Sequence, residues 1–131
     1  MKIIFRKDHS IVKLIKRDQS PNYIEFISFS HPDCDPNEVY ILSEHIACVL
    51  GAEPIEARGT LLAIFELNRE RLSPFLVATI TLDPFSKTPM INRYFSLAGA
   101  IEIARISFEK YGNQQARQFE DYISKISFRG K

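Results

Sequence analysis

The chain reads as an α+β fold: an antiparallel sheet of about four to five strands, with one central helix and a C-terminal helical hairpin packed on one face. Three observations predict it. Tyr23–Ser30 is rich in aromatic and β-branched residues, the composition of a strand. Val77-Ala78-Thr79-Ile80-Thr81-Leu82 alternates with a period of two, and the apolar residues after Ser96 recur at helical spacing. Strands clustered by hairpins, with helices between and after them, segregate into layers of this kind.

The elements follow in order. Ile3–Arg6 and Ile11–Lys16 are short apolar runs separated by Lys7-Asp8-His9-Ser10, which predicts a hairpin; Ser10 as the N-cap of a short helix through Arg17 is the rival reading. Ser20-Pro21-Asn22 marks a turn before the strand Tyr23–Ser30. Asp35-Pro36 then predicts a helix over Pro36–Leu50. Asp supplies a capping acceptor, Pro suits the first helical position and Glu38 completes a capping box. Val39, Leu42, Ile46, Val49 and Leu50 would form its buried stripe, and Gly51 its C-cap.

Thr60–Leu67 and Phe75–Leu82 read as two strands joined across Asn68–Pro74, although the first also suits a helical period. Asp83-Pro84 ends the pair, and Pro84–Arg93 reads as an irregular loop. Ser96–Tyr111 is a helix with Leu97, Ile101, Ala104, Phe108 and Tyr111 on one face and Ile103 and Ile106 on a second, which predicts burial on two sides. Gly112-Asn113 stops it and caps a last helix, Gln114–Ser127, whose stripe is Ala116, Phe119, Ile123 and Ile126.

Composition narrows the class. A length of 131 residues suits a single domain, 1–131, and is enough to bury a core without staples. Formal net charge is +1, so the chain is no polycation. Its charge is nevertheless arranged in blocks. Residues 1–31 carry net +3, residues 32–57 net −6 with no base at all, and residues 58–131 net +4. Such a distribution favours charge-complementary docking or self-association over bulk attraction to phosphate. The N-terminal residues lack an apolar run of signal-peptide length, and no stretch approaches the ~20 apolar residues of a membrane span. The initial Met predicts a chain whole at its N-terminus. With two Cys and no Asn-x-Ser/Thr acceptor, the expected compartment is the reducing cytoplasm.

Four candidate sites stand out. Both cysteines and two of the three histidines fall in a doubled His-x-x-Cys, His31/Cys34 and His45/Cys48, the ligand types of a His2Cys2 zinc site. The predicted helix argues against it, since a dozen residues at ~1.5 Å rise put about 18–20 Å between the pairs. The plainer reading makes Cys48 a small buried hydrophobe and His45 a boundary residue. Cys34 beside a helix N-terminus is also a candidate thiolate, with His31 as its base, but Asp33 and Asp35 oppose ionisation and Asp-Pro is ordinary turn chemistry.

Lys2, Arg6, Lys7, Lys13, Lys16 and Arg17, with Tyr23, Phe26 and Phe29, could form a basic stacking surface for nucleic acid, although Lys on edge strands is common protection. Last, the acidic helix face (Glu38, Glu44) and the loop residues Phe85, Met90, Ile91 and Arg93 are candidate contacts for a partner. Phosphate-binding glycine motifs, a Gly-x-Ser-x-Gly elbow and His-Glu-x-x-His are absent. The balance predicts a cytoplasmic protein-binding module, an adaptor, inhibitor or chaperone-like regulator, expected as a homodimer without cofactor. A metal- or thiol-dependent enzyme and a nucleic-acid binder are the alternatives.

Overall fold

A computed structural model describes residues 1–6, 11–18, 23–81 and 88–126. It is an α+β structure built on one six-stranded sheet. The strands are β1 (Lys2–Arg6), β2 (Val12–Asp18), β3 (Ile24–Phe29), β4 (Tyr40–Leu42), β5 (Leu76–Thr81) and β6 (Met90–Ser96). The helices are α1 (Ser43–Val49), α2 (Ala57–Leu67), α3 (Arg69–Leu72), α4 (Leu97–Tyr111) and α5 (Gln114–Lys125). The predicted turns at 7–10 and 20–22, Phe85 and the end of the last helix lie wholly or partly outside the described residues.

The sheet runs β1-β5-β6-β4-β3-β2. Every pairing is antiparallel except β1 with β5, so the sheet is mixed rather than antiparallel throughout and holds one strand more than expected. The expected hairpin of β1 and β2 does not form. β1 pairs in parallel with β5, whereas β2 pairs with β3, leaving the two at opposite edges. Local turn chemistry cannot report a pairing made with residues so distant in sequence.

Residues 36–50 are the second departure. Instead of one helix, Tyr40–Leu42 is strand β4 between β3 and β6, and α1 begins only at Ser43. Asp35 does cap, but it caps a turn: its carboxylate accepts the Asn37 N–H at 2.9 Å and its carbonyl the Glu38 N–H at 3.1 Å. The run Val39-Tyr40-Ile41-Leu42 suits the pleat, with Ile41 and Tyr40 buried on opposite faces. Two further corrections follow the same logic. Residues 60–67 belong to α2, which buries Ala57, Leu61 and Phe65 at helical spacing, and Met90–Arg93 open β6 rather than lying in a loop.

Pleating divides the core in two. Phe26, Ile41, Leu76 and Phe95 point to the face covered by the helices, where they join Ile46, Leu61, Ile103, Ile106 and Phe119. Ile103 and Ile106 are both fully buried, as two-sided burial of α4 requires, whereas Tyr111, expected on the apolar face, is exposed at the helix end. Ser96 caps α4 by accepting the Gly99 N–H at 3.2 Å, and Gly112 ends it in the left-handed region at φ 64°. Gly99 also lets α4 press close to Phe75, because a Cβ there would stand 2.5 Å from that side chain. Asn113 then caps α5 through Gln115 N–H at 2.9 Å.

Among the described residues, no helix packs on the other face. Ile4, Ile27, Phe29, Tyr40, Val77 and Tyr94 fill it, with Phe29 edge-on to both Tyr40 and Tyr94 at 5.1 Å. Its cover includes the β3–β4 loop, which brings Cys34 into that cluster. Lys2 Nζ donates to the Asp33 carbonyl at 2.6 Å and ties the loop to β1.

Candidate interaction surface

The β1 edge is the surface with most to offer a partner. β1 ends the sheet, and among the described residues no strand lies beyond it. Ile4 is buried toward the loop-covered face, so the alternation puts Ile3 and Phe5 on the helix-covered face. The helices do not cover them: Ile3 is 53% and Phe5 72% exposed. Register extends the patch inward, because Phe5 lies opposite Ile80, which lies opposite Ile91. Three apolar residues thus form a row across β1, β5 and β6, the inner two half-buried. In the next row Ile3 meets Ala78 and Ala78 meets Arg93. Arg58 of α2 donates to the Ile91 carbonyl, adding a second base beside the apolar row.

Of the contact residues expected from sequence, Ile91 and Arg93 belong to this patch, and Phe85 is outside the described residues. Met90 is exposed, but it sits opposite Thr81 on the other face. The acidic pair does not form a helix face. Glu38 precedes β4, and Glu44 lies in the first turn of α1 accepting the Ser43 hydroxyl at 2.7 Å. What sequence reasoning missed is Ile3, Phe5 and Ile80; the signal was an apolar pair at alternate positions in a five-residue strand.

The doubled His-x-x-Cys comes apart. Cys34 is buried in the cluster on the loop-covered face, while Cys48 packs at the margin of the helix-covered core. The sheet lies between them. Separation by a long helix was the expected obstacle; the actual one is that the pairs occupy opposite faces. Among the described residues no three His, Cys, Asp or Glu side chains are placed to hold a metal ion. Neither cysteine is in a disulfide. Burial pushes the Cys34 thiol up despite Lys2, and Asp33 pushes it further, so the expected thiolate loses its support along with the helix N-terminus. His31 Nδ1 accepts the Asp33 N–H at 3.1 Å.

His45 instead joins a polar cluster at the β2–β3 margin. Its Nδ1 accepts the Glu25 N–H at 3.4 Å, and its ring stands edge-on to Tyr23 at 5.2 Å. The Tyr23 hydroxyl donates to Glu25 at 2.5 Å, and Arg17 pairs with the same carboxylate at 3.3 Å. Tyr23 thereby holds the Glu25 carboxyl below its usual range, while burial holds the His45 imidazole below its own. Neither a nucleophile nor an acid tuned toward neutrality results, and the cluster acts as a clamp on the strand ends.

The basic N-terminal surface is divided too. Lys2 lies at one edge of the sheet, and Lys13, Lys16 and Arg17 at the other. Phe26 and Phe29 are fully buried, so neither offers a face for base stacking. Among the described residues no helix is long and apolar enough to cross a membrane. No protein-family model matches the chain, and neither a curated protein nor a solved structure matches it.

Proposed function

We propose that this protein is a protein-binding module that recruits an extended segment of a partner onto β1, by strand addition. The observation that carries the reading is Phe5, exposed at the sheet edge and in register with Ile80 and Ile91. An edge strand presents a row of backbone donors and acceptors, and an apolar row beside it supplies side-chain selectivity. The chemistry of the partner follows from charge. The strand Lys-Ile-Ile-Phe-Arg has a base at each end, and Arg58 and Arg93 flank the apolar row. A segment with apolar residues at alternate positions and acids at its ends is complementary.

Self-pairing is the weaker form of the same idea. An antiparallel β1–β1 pair centred on Ile4 sets Ile3 against Phe5, which is favourable, but residue 2 against residue 6, base against base. A partner of different sequence avoids that repulsion, which turns the expected homodimer into a secondary outcome. Two cysteines outside any disulfide are compatible with a cytoplasmic setting for such an adaptor or inhibitor.

The test uses a fluorescein-labelled peptide of the pattern Asp-Val-Thr-Val-Glu, read by anisotropy. Binding should weaken about tenfold in Phe5→Lys and fall as salt rises, while Leu14→Lys at the opposite edge leaves it unchanged. Absence of binding, or equal binding by the Phe5→Lys protein, refutes the proposal. A dimer whose formation needs Phe5 would replace the partner with a second copy.

A further inference from the structure

A strand added at β1 leaves part of the apolar row beside it untouched. Neighbouring strands lie about 4.8 Å apart, so a segment paired with β1 stands about 10 Å from β5 and about 14 Å from β6. Its side chains meet those of β1 and little beyond, because contact across a sheet ends with diagonal neighbours at ~7–8 Å. Ile3 and Phe5 come within reach. Ile80, opposite Phe5 on β5, and Ile91, opposite Ile80 on β6, do not.

The helix layer stops short of this corner. α2 lies along β6: Arg58 donates to the Ile91 carbonyl, and two turns on Phe65 packs beside Phe95, ring centroids 6.2 Å apart. One flank of α2, with Thr60, Ile64 and Leu67, shares a hollow with α1 and α4. Helical spacing puts Arg58 and Leu62 on the other flank, where Leu62 is only half-buried. Leu62 thus walls an open trough whose floor is Ile3 and Phe5 of β1 with Ala78 and Ile80 of β5. Its surroundings are basic. β1, β5 and β6 contain no Asp or Glu, and the one acid of α2, Glu66, is paired with Arg69 at 2.8 Å. Arg58 and Arg93 enter none of the ion pairs formed among the described residues.

We infer that the partner's extended segment is joined to an acidic amphipathic helix, which lies in this trough beside α2. The inference rests on strand addition at β1 and names the second element of the same partner. Width is the first argument: two strands make a floor about 10 Å wide, and a helix with its side chains is about 10–12 Å across. Backbone chemistry is the second. β5 is bonded to a strand on each side, so a segment resting on this floor finds no backbone partner there and must satisfy its own N–H and C=O groups, as a helix does. Charge is the third, since Arg58 and Arg93 call for acids along the flank of that helix. A second copy of this chain is poorly suited to the place, because α2, α4 and α5 turn their apolar stripes into the chain's own core.

The experiment compares the peptide Asp-Val-Thr-Val-Glu with two longer ones on the whole chain. Each joins that segment through Gly-Ser-Gly to a doubled Glu-Leu-Ala-Glu-Leu-Ala-Ala repeat, placed after it in one and before it in the other. One of the joined peptides should bind about tenfold more tightly than the segment alone, and circular dichroism should show helix forming in the complex. Leu62→Glu should erase the gain and leave binding of the short peptide unchanged; Leu62→Ala, which keeps a good helix former, should reduce it. A joined peptide with Ser in place of its Leu should gain nothing. Absence of binding by all the peptides is a failure of strand addition itself, and the helix falls with it. Binding of the short peptide with no gain from either joined one overturns the helix alone. So does a gain that survives in Leu62→Glu, that persists with the Ser repeat, or that adds no helical signal.

Discussion

The two edges of the sheet are built on opposite policies. β2 is guarded: its register slips between Leu14 and Lys16, Lys13 is exposed, Lys16 faces Asp18, and Arg17 pairs with Glu25 of β3. Bulges and charges of this kind discourage a further strand from adding. β1 has five residues in unbroken register and exposes two large apolar side chains. Among the described residues, one edge is therefore protected and the other left without a neighbouring strand. Chance exposure of single apolar residues is common, and the exposed pair on this regular edge, continued inward by Ile80 and Ile91, is where the proposed partner segment would lie.

The comparison can be broken most severely at Ile4. Its side chain is 2% exposed and anchors β1 over Val77 and Tyr94. Ile4→Ala should cost roughly 2–5 kcal/mol in urea denaturation, against no more than about 0.5 kcal/mol for Leu14→Ala on β2. Similar costs at the two sites would mean that β1 is not anchored and its edge is no fixed template. Next comes Phe5→Lys, which should weaken peptide binding by about 1.4 kcal/mol while the folding midpoint hardly moves. Thr79→Val should stabilise by about 1 kcal/mol, because it removes a buried hydroxyl without a partner at the β1–β5 seam. A destabilised Thr79→Val protein would show that the hydroxyl is bonded after all.

The smallest effect sharpens the β2 side. The His45 imidazole is held below its ordinary 6.5 by burial, so the unfolded chain binds a proton more readily than the folded one. Its contribution is complete above pH 6.5 and declines as pH falls below it. The Glu25 carboxyl, held below its ordinary 4.5 by the Tyr23 hydroxyl, behaves alike, with its contribution lost as pH falls below 4.5. Stability should drop in two acid steps, and His45→Gln should remove the upper one. A profile flat between pH 7 and 5 in the unsubstituted protein contradicts this account.

How much of this was legible in the residues depended on range. α4 and α5 were readable to within a residue or two, because Ser96, Gly112 and Asn113 act within a turn of where they stand. β3 announced itself by composition and β5 by its alternation. The run 36–50 misled because Val39, Leu42 and Ile46 fit a helical stripe as well as they fit a strand followed by a helix, and the Asp35 cap serves either. Pairing decided the matter, and pairing is non-local. The candidate surface was half visible. Ile91 and Arg93 were singled out, but Phe5 gains meaning only when β1 is placed at an edge.

The parallel seam between β1 and β5 has a consequence for the order of events in synthesis. Residues 2–6 emerge from the ribosome long before residues 77–81, against which they must lie. Until then a strand rich in apolar residues has no native neighbour, while β2, β3 and β4 can begin to pair as they appear. The earliest strand of the sheet is thus among the last to be seated. The strand that has no outer neighbour among the described residues is also the one a nascent chain has to shield for longest.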